Sequence, residues 1–352
     1  MADRRGNDAG QIKALLQDRI EQLVLQLLPE GKRSGKYWIA ANPTRNDRHA
    51  GSFWVALRGV PGSWRDEATG EKGDVLQLIC YLRGAGFGDA LRFARGWLGL
   101  DDMPPERVAQ MSQEARDRRK EAEAREEAEE AKRRAAAKAH WLNCWESLEG
   151  TVAERYLRGR NLDLGRLLRR CSALRFAPNE EHHESGARWP CIVAAMSGPG
   201  GSIHAIHRTF LARDGSGKAP IDPHRKIWPR FAGAAIHLWR GKSGKPASAA
   251  PARSDLLLLV EGVEDGLTAA LAYPEARVWC AGSLGNLGNL VIPQCAERVV
   301  VCADNDWGKP QAQALLEKGL QALYAQGVPV GVCFSNVGKD LNDALQSAKG
   351  ER

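Results

Sequence analysis

Three carboxylates stand directly after two strongly apolar segments in the last third of the chain. Glu261 follows LLLLV (256–260), and Asp304 and Asp306 follow RVVVCA (298–303). Continuous apolar runs of this kind predict parallel strands buried on both faces, and ligands bind outside the carboxyl ends of such strands. Carboxylates brought together there repel one another unless a cation neutralises them. Mg²⁺ is the natural ion because it takes oxygen ligands and bridges to phosphate, so the pattern predicts a site for phosphoryl transfer.

Strands and helices are predicted to alternate around these carboxylates, which is the pattern of an α/β domain with a parallel sheet flanked by helices. The predicted strands occupy residues 255–260, 277–282, 298–303 and 329–335. The predicted helices occupy residues 264–273 and 310–326. A lone Asp-x-Asp has a simpler explanation, in which Asp304 and Asp306 only begin the helix after Pro310. The order of three blocks favours the site, because GKDLND (338–343) follows the Glu-Gly and Asp-x-Asp blocks.

The blocks VEGVEDGLTAA, VVVCADND and GKDLNDAL resemble the Toprim domain shared by DnaG-type primases, topoisomerases and some nucleases. The resemblance implies that Glu261, Asp304 and Asp306 are catalytic and hold Mg²⁺ or Mn²⁺. It also implies that Asp340 contributes to the metal site from its edge, where Asp343 lies as well. Asp265 either belongs to this site or caps the helix that follows it.

Charge is distributed unevenly along the chain, whose formal net charge is +7. Residues 141–250 have 17 basic and 9 acidic side chains, whereas residues 251–352 have 8 basic and 12 acidic ones. A basic segment beside an acidic one suits a polyanion on one surface and a divalent cation on the next. An ordinary basic surface would give the same totals, so charge alone does not decide between the two.

Two stretches of the basic segment, SIHAIHRTFLARDGSGKAP (202–220) and HRKIWPRFAG (224–233), resemble the basic half of the DnaG-type polymerase core. They resemble primase-like proteins of plasmids, phages and integrative elements still more closely. The resemblance implies that several cations bind nucleotide or template phosphate, as guanidinium and ammonium groups do. We assign this role to Arg208, Lys218, Arg225 and Lys226, and to Lys339 in the GKDLND block. The alternative is that these side chains only keep the surface soluble.

The first hundred residues predict a small α+β unit, with strands in KYWIAANP (36–43) and GSFWVALRG (51–59). The order of parts in residues 41–94 resembles the zinc-binding module of primases. Only His49 stands near a position of the family's ligands, and Cys80 stands alone on the following helix, far short of the four ligands that a structural zinc site needs. We therefore expect a degenerate module without zinc. Its candidate DNA-binding residues are Trp54, Trp64 and Arg65; the two tryptophans either stack on bases or fill the core.

The fold expected from these patterns is multidomain, α/β in its C-terminal part and α+β elsewhere. The degenerate module spans residues 1–103, and a charged helical connector rich in Ala, Glu, Arg and Lys spans 104–140. The basic subdomain of the predicted primase core spans 141–250, and the Toprim domain spans 251–352. We expect a cytoplasmic protein, because its eight cysteines form no C-x-x-C pair and no apolar run approaches a membrane span.

The resemblance implies a DNA primase of a mobile genetic element that joins nucleoside triphosphates into RNA or mixed primers on single-stranded DNA. A P-loop sequence is absent, so we expect the replicative helicase to be a separate protein. Two alternatives remain open. One is a metal-dependent Toprim nuclease, and the other is a non-catalytic accessory of replication that binds single-stranded DNA.

Overall fold

The computed structural model describes residues 2–45, 51–306 and 308–350. The chain divides into two compact units, residues 1–129 and residues 130–352. Within the described ranges, no helix is both long enough and apolar enough to cross a bilayer.

The first unit consists of an antiparallel sheet and helices packed on one of its faces. Its sheet has the order β1-β2-β3-β4-β5, with β1 (Lys32–Ser34), β2 (Tyr37–Ala40), β3 (Phe53–Ala56), β4 (Trp64–Asp66) and β5 (Lys72–Gly73). Its helices are α1 (Ala2–Asp18), α2 (Ile20–Leu27), α3 (Val75–Arg83), α4 (Phe87–Leu98) and the start of α5 (Pro105–Asn143).

Local sequence explains the position of α3. The side chain of Asp74 accepts the N–H groups of Leu76 and Gln77, and the Gln77 side chain accepts the N–H of Asp74. This reciprocal cap satisfies N–H groups that the first helical turn leaves without partners. Gly84 ends the helix with a φ of 59°, a conformation that favours glycine.

The second unit contains two sheets. The first is antiparallel, in the order β6-β7-β8-β9, with β6 (Leu174–Glu181), β7 (Arg188–Ser197), β8 (Ile203–Phe210) and β9 (Arg225–Trp228). The second has the order β10-β12-β11-β13-β14, with β10 (Ile236–Arg240), β11 (Asp255–Val260), β12 (Arg277–Cys280), β13 (Ala296–Ala303) and β14 (Val330–Phe334). The helices that follow α5 are α6 (Val152–Gly159), α7 (Val263–Ala272), α8 (Pro310–Tyr324) and α9 (Leu341–Gly350).

The second sheet confirms the predicted α/β arrangement. Strands β12, β11, β13 and β14 are parallel, and β10 joins their edge in the antiparallel direction. Apolar side chains of β11 and β13 are buried on both faces, since Leu257 and Leu258 enter different core clusters. Strand β10 lies within residues 141–250, the predicted basic subdomain. It nevertheless completes this sheet, because Ile236, Leu238 and Trp239 are buried there.

Sequence patterns are wrong or incomplete at three places. The stretch HWLNCWESLEG (140–150) has a helical pattern, but α5 ends at Asn143 because Trp145 then pairs with Phe176 in an isolated bridge. Sequence patterns also miss α1 and α2, which pack Leu16 and Leu23 into the core of the first unit. They miss β9 as well, whose short run alternates charged and apolar residues too briefly to be distinctive.

Candidate metal and phosphate site

The three acidic residues lie at the carboxyl ends of neighbouring parallel strands. Glu261 follows β11, and Asp304 and Asp306 follow β13, its partner in the sheet. Burial, and then the charge of Asp304, raises the pKa of Glu261. Two lysines partly neutralise the others: Lys339 Nζ lies 3.1 Å from Asp304 Oδ2, and Lys309 Nζ lies 2.6 Å from Asp306 Oδ1. The three carboxylates thus form a negatively charged site, and two lysine ammonium groups neutralise part of its charge.

The donor set suits Mg²⁺ by its chemistry, since every candidate ligand offers carboxylate oxygens. Among the described residues, no three acidic, histidine or cysteine side chains are placed closely enough to hold a metal ion together. Ammonium groups are instead the cations at Asp304 and Asp306. Because the side chains of Lys309 and Lys339 are 63% and 55% exposed, they are free to turn aside for another cation. The metal role of the three acids stays a prediction.

Asn305 fixes the loop that carries Asp304 and Asp306. Its side-chain nitrogen donates to the carbonyl oxygens of Ser335 (2.8 Å) and Gly338 (2.9 Å). Its backbone N–H donates to the carbonyl oxygen of Lys339 at 2.7 Å. Three hydrogen bonds therefore join the two loops that present the acidic residues and Lys339. The middle position of an Asp-x-Asp pattern gives no sign of this function in the sequence.

The remaining acidic candidates contact the first turn of α9. Asp340 Oδ1 accepts the N–H of Asp343, so Asp340 caps this helix, and its contribution to a metal site remains a prediction. Asp265 lies inside α7 and does not cap it, which excludes one of the two roles considered from sequence. Its Oδ1 instead accepts the N–H of Asn342. Burial and the charges of Asp340 and Asp304 raise the pKa of Asp265 to about 7.

Each cation predicted to bind phosphate is next to a carboxylate in this structure. Arg208 Nη1 donates to Glu180 Oε1 at 3.0 Å, and Lys226 pairs with Glu184. Lys339 pairs with Asp304. Among the described residues, Arg208 and Lys226 make no ion pair with Glu261, Asp304 or Asp306. The two cations are neighbours in one sheet, because Arg208 on β8 pairs with Lys226 on β9. Their predicted phosphate contacts remain untested.

Lys218 and Arg225 converge on Glu264, a residue whose role the sequence does not reveal. Glu264 Oε1 accepts a hydrogen bond from the Tyr156 hydroxyl at 2.8 Å and lies 3.1 Å from Lys218 Nζ. Arg225 Nη2 is 3.9 Å from the same oxygen. Burial opposes ionisation of this carboxyl, but the charges of Lys218 and Arg225 outweigh it and lower its pKa to about 2. Glu264 is therefore a buried anion.

His207 on β8 lies beside this cluster and is held neutral. Its Nδ1 is buried without a hydrogen-bond partner among the described residues. Burial lowers the pKa of His207 from 6.5 to about 4, and the charges of Arg225 and Lys218 act in the same direction against that of Glu264. Protonation of this imidazole therefore lowers the free energy of unfolding, because the folded state favours the neutral side chain.

This histidine predicts loss of stability in acid. The contribution of a neutral His207 is complete above pH 6.5, the value for the exposed side chain, and is lost as the pH falls towards 4. We expect the free energy of unfolding of wild type to fall by up to about 3 kcal/mol more than that of His207→Leu over this range. Urea denaturation at several pH values measures it. His204→Gln, on the same strand but less buried, serves as control; equal slopes for wild type and His207→Leu would contradict the prediction.

The tryptophans of the first unit have different surroundings. Trp64 is buried against Phe53 and Tyr81, so it belongs to the core. Trp54 is half-buried on the opposite face of the sheet, where its ring lies 4.8 Å from that of Tyr37. It pairs across the strands with Arg65, which is exposed. His49 lies outside the described residues, and Cys80 is half-buried on α3, so the expectation of a module without zinc stays a prediction.

Two family models match separate parts of the chain. Residues 256–351 match the Toprim domain, and residues 131–238 match a domain of unknown function (DUF7146). No curated protein matches the chain.

The chain is also similar to solved structures. The zinc-binding and RNA polymerase domains of the Aquifex aeolicus primase are 14% identical, with 97% of this chain and 83% of that chain covered and a TM-score of 0.40. A DNA primase domain from Pseudomonas aeruginosa is 15% identical, with coverages of 61% and 74% and a TM-score of 0.40. The RNA polymerase domain of the Mycobacterium tuberculosis primase is 15% identical, with coverages of 62% and 79% and a TM-score of 0.38.

The order of strands, the carboxylates at their carboxyl ends and the family match agree with one another. Residues 256–351 are a Toprim domain.

Proposed function

We propose that this protein is a DNA primase, which joins nucleotides on a single-stranded DNA template by Mg²⁺-dependent nucleotidyl transfer. The observation that carries the proposal is the placement of Glu261, Asp304 and Asp306 directly after two adjacent parallel strands of a Toprim domain. The resemblance of the basic blocks to primase-like proteins of plasmids and phages supports a mobile element as its source.

The residues of the acidic site have distinct parts in this proposal. Glu261, Asp304 and Asp306 would hold Mg²⁺, which when bound activates an attacking hydroxyl and neutralises a departing pyrophosphate. Glu261 either completes the metal shell or acts as the general base, a role that suits a carboxylate whose pKa is raised by burial. Lys339, which already contacts Asp304, supplies positive charge for a triphosphate.

Synthesis on single-stranded DNA tests the function directly. Purified protein is incubated with labelled nucleoside triphosphates, Mg²⁺ or Mn²⁺, and a panel of templates. We expect short products that require template and metal and that disappear with a chelator. Cleavage of DNA without added nucleotides would identify a Toprim nuclease instead. Binding of single-stranded DNA with neither reaction would identify an accessory protein and overturn the proposal.

The outer face of the first unit's sheet supports a separate DNA contact. Strand register places Ile39, Trp54, Arg65 and Lys72 in one row across four strands. Tyr37 projects from the same face, beside Trp54. Aromatic rings interleaved with cations are suited to stacking on bases and pairing with the backbone of a single strand. We propose that this face, rather than Trp64, binds the template.

Trp54→Ala is expected to weaken binding of single-stranded DNA about tenfold, since stacking on one base is worth about 1–3 kcal/mol. Fluorescence anisotropy with a labelled oligonucleotide at fixed salt measures the dissociation constant. Phe87→Ala is the control, because Phe87 is an exposed aromatic residue on α4 rather than on the sheet. Equal losses in both variants, or none in Trp54→Ala, would contradict this contact.

A further inference from the structure

Glu264 is a buried carboxylate that the proposed chemistry does not use. It lies in the first turn of α7, three residues after Glu261, and is only 5% exposed. Burial of an ionised carboxylate is costly unless partners compensate for the lost water. Here Tyr156 donates a hydrogen bond and Lys218 forms an ion pair to the same oxygen, Oε1. The arrangement is complete enough to keep the charge buried.

The partners of Glu264 come from the basic part of the same unit. Lys218 follows β8 in sequence and pairs with Leu211 in an isolated bridge, and Arg225 begins β9. Tyr156 comes from α6. A single side chain thus connects the antiparallel sheet and α6 to the helix that follows the acidic strand β11. Movement of Glu264 would release all these groups together.

Lys218 and Arg225 differ in their distance from Glu264 and in their exposure. The Lys218 side chain is 17% exposed and within direct contact at 3.1 Å, so its charge is committed to the ion pair. The Arg225 side chain is 40% exposed and its nearest nitrogen is 3.9 Å away, beyond hydrogen-bond distance. Arg225 is therefore the more available of the two cations for another partner.

Arg225 also lies beside the acidic site. Its Nη1 is 3.8 Å from the position that a Cβ on Gly262 would occupy, at the residue directly after Glu261. Burial raises the pKa of Glu261, and the positive charge of Arg225 opposes that effect. The guanidinium thus lies over the start of α7, where the partial positive charge of the helix also favours an anion.

We propose that Glu264 is a positioning residue: its buried carboxylate, held in place by Lys218 and Tyr156, attracts Arg225 from 3.9 Å and so keeps the guanidinium where it contacts a phosphate of the nucleotide at the acidic site. The proposal rests on the proposed function for the identity of the nucleotide. It assigns a structural part to Lys218, which the sequence places among the phosphate ligands, and leaves Arg225 as the ligand.

A paired replacement separates positioning from simple stability. Glu264→Met combined with Lys218→Met removes the buried charges together, leaves net charge unchanged, and replaces a buried pair with apolar groups, which proteins often tolerate. We expect the double variant to melt within a few degrees of wild type but to bind ATP about tenfold more weakly in equilibrium titrations with Mg²⁺. Glu264→Gln alone, which leaves Lys218 buried without its partner, is expected to melt lower and bind weakly.

Arg225→Gln completes the test. In this background the double replacement should cause no further loss of ATP affinity, because the group that Glu264 positions is absent. Arg213→Gln, which removes an exposed arginine beside Trp189, is the charge control and should bind within about twofold of wild type.

The outcomes are distinct from those of the synthesis assay. Recovery of both melting temperature and ATP affinity in the double variant would show that the pair is only structural and overturn the inference. Additive losses with Arg225→Gln would overturn it too, as would a wild type that binds no ATP. Wild-type protein that binds ATP through Arg225 but synthesises nothing would contradict the proposed function and leave the positioning role supported.

Discussion

Asp304→Asn is expected to reduce nucleotide incorporation about 10³-fold while the Toprim domain stays folded. A bound metal contributes several kcal/mol of charge stabilisation to phosphoryl transfer, and each 1.4 kcal/mol is about a factor of ten. The amide has nearly the shape of the carboxylate but no charge, so it holds both the metal and Lys339 less tightly. Initial rates of primer synthesis at saturating nucleotide measure the effect.

The control for this variant lies on the same strand. Glu297→Gln removes a carboxylate from the amino-terminal end of β13, where the side chain is exposed. It should synthesise primers at the wild-type rate and melt at the wild-type temperature. Asp304→Asn that retained more than a tenth of the wild-type rate would show that this carboxylate does not hold the catalytic metal. A parallel melting curve distinguishes loss of chemistry from loss of fold.

Asp255→Ala is expected to lower the free energy of unfolding of the second unit by about 3–5 kcal/mol, the usual cost of leaving one member of a buried ion pair alone. Arg277 is only 1% exposed, and its Nε and Nη2 lie 2.8 and 2.6 Å from Asp255 Oδ2. The pair joins the beginnings of β11 and β12. Without Asp255, the guanidinium is buried with only the carbonyl oxygen of Lys245 as a partner among the described residues.

Urea denaturation of the full chain tests this prediction. Asp255→Ala combined with Arg277→Met should recover most of the stability, because the unpaired charge is then removed. Glu181→Ala is the surface control: its pair with Arg188 is about half exposed on both sides, and its loss should cost no more than about 1 kcal/mol. Similar costs for Asp255→Ala and Glu181→Ala would show that burial does not determine the effect.

The sequence predicts the acidic edge of the sheet because the signal there is local. Short apolar runs such as LLLLV and RVVVCA, alternating with helical segments, favour buried strands, and the residue after each run then lies at the strand's end. The positions of Glu261 and Asp304 therefore follow from the amino-acid sequence alone. Their catalytic roles remain predictions, since position alone does not demonstrate bound metal.

Ion pairs between distant segments are beyond the reach of the sequence. Lys218 finds Glu264, and Arg208 finds Glu180, across separations of 46 and 28 residues respectively. Such pairs depend on which strands become neighbours and on which face of the sheet each side chain projects. Neither can be read from the number of charged residues in a segment. The sequence gives no reason to pair the five cations predicted to bind phosphate with any carboxylate. In the structure, each of the five contacts a carboxylate or lies close to one.

Trp54 and Trp64 show what a register adds to a pattern of apolar residues. They occupy paired strands, but their offsets place them on opposite faces, with Trp64 opposite Val55 and Trp54 opposite Arg65. The alternation of side chains along a strand predicts this division once the register is known. The register itself depends on the connection between β3 and β4, which local propensities do not determine.

The three hydrogen bonds made by Asn305 couple the motions of two loops. The segment with Asp304 and Asp306 cannot lift from the strand end unless the segment 335–339 releases it, since the bonds at Ser335, Gly338 and Lys339 would all break. We therefore expect opening of one loop to accompany opening of the other. A fluorophore or an amide proton in residues 335–339 would therefore report the arrival of a ligand at Asp304 and Asp306.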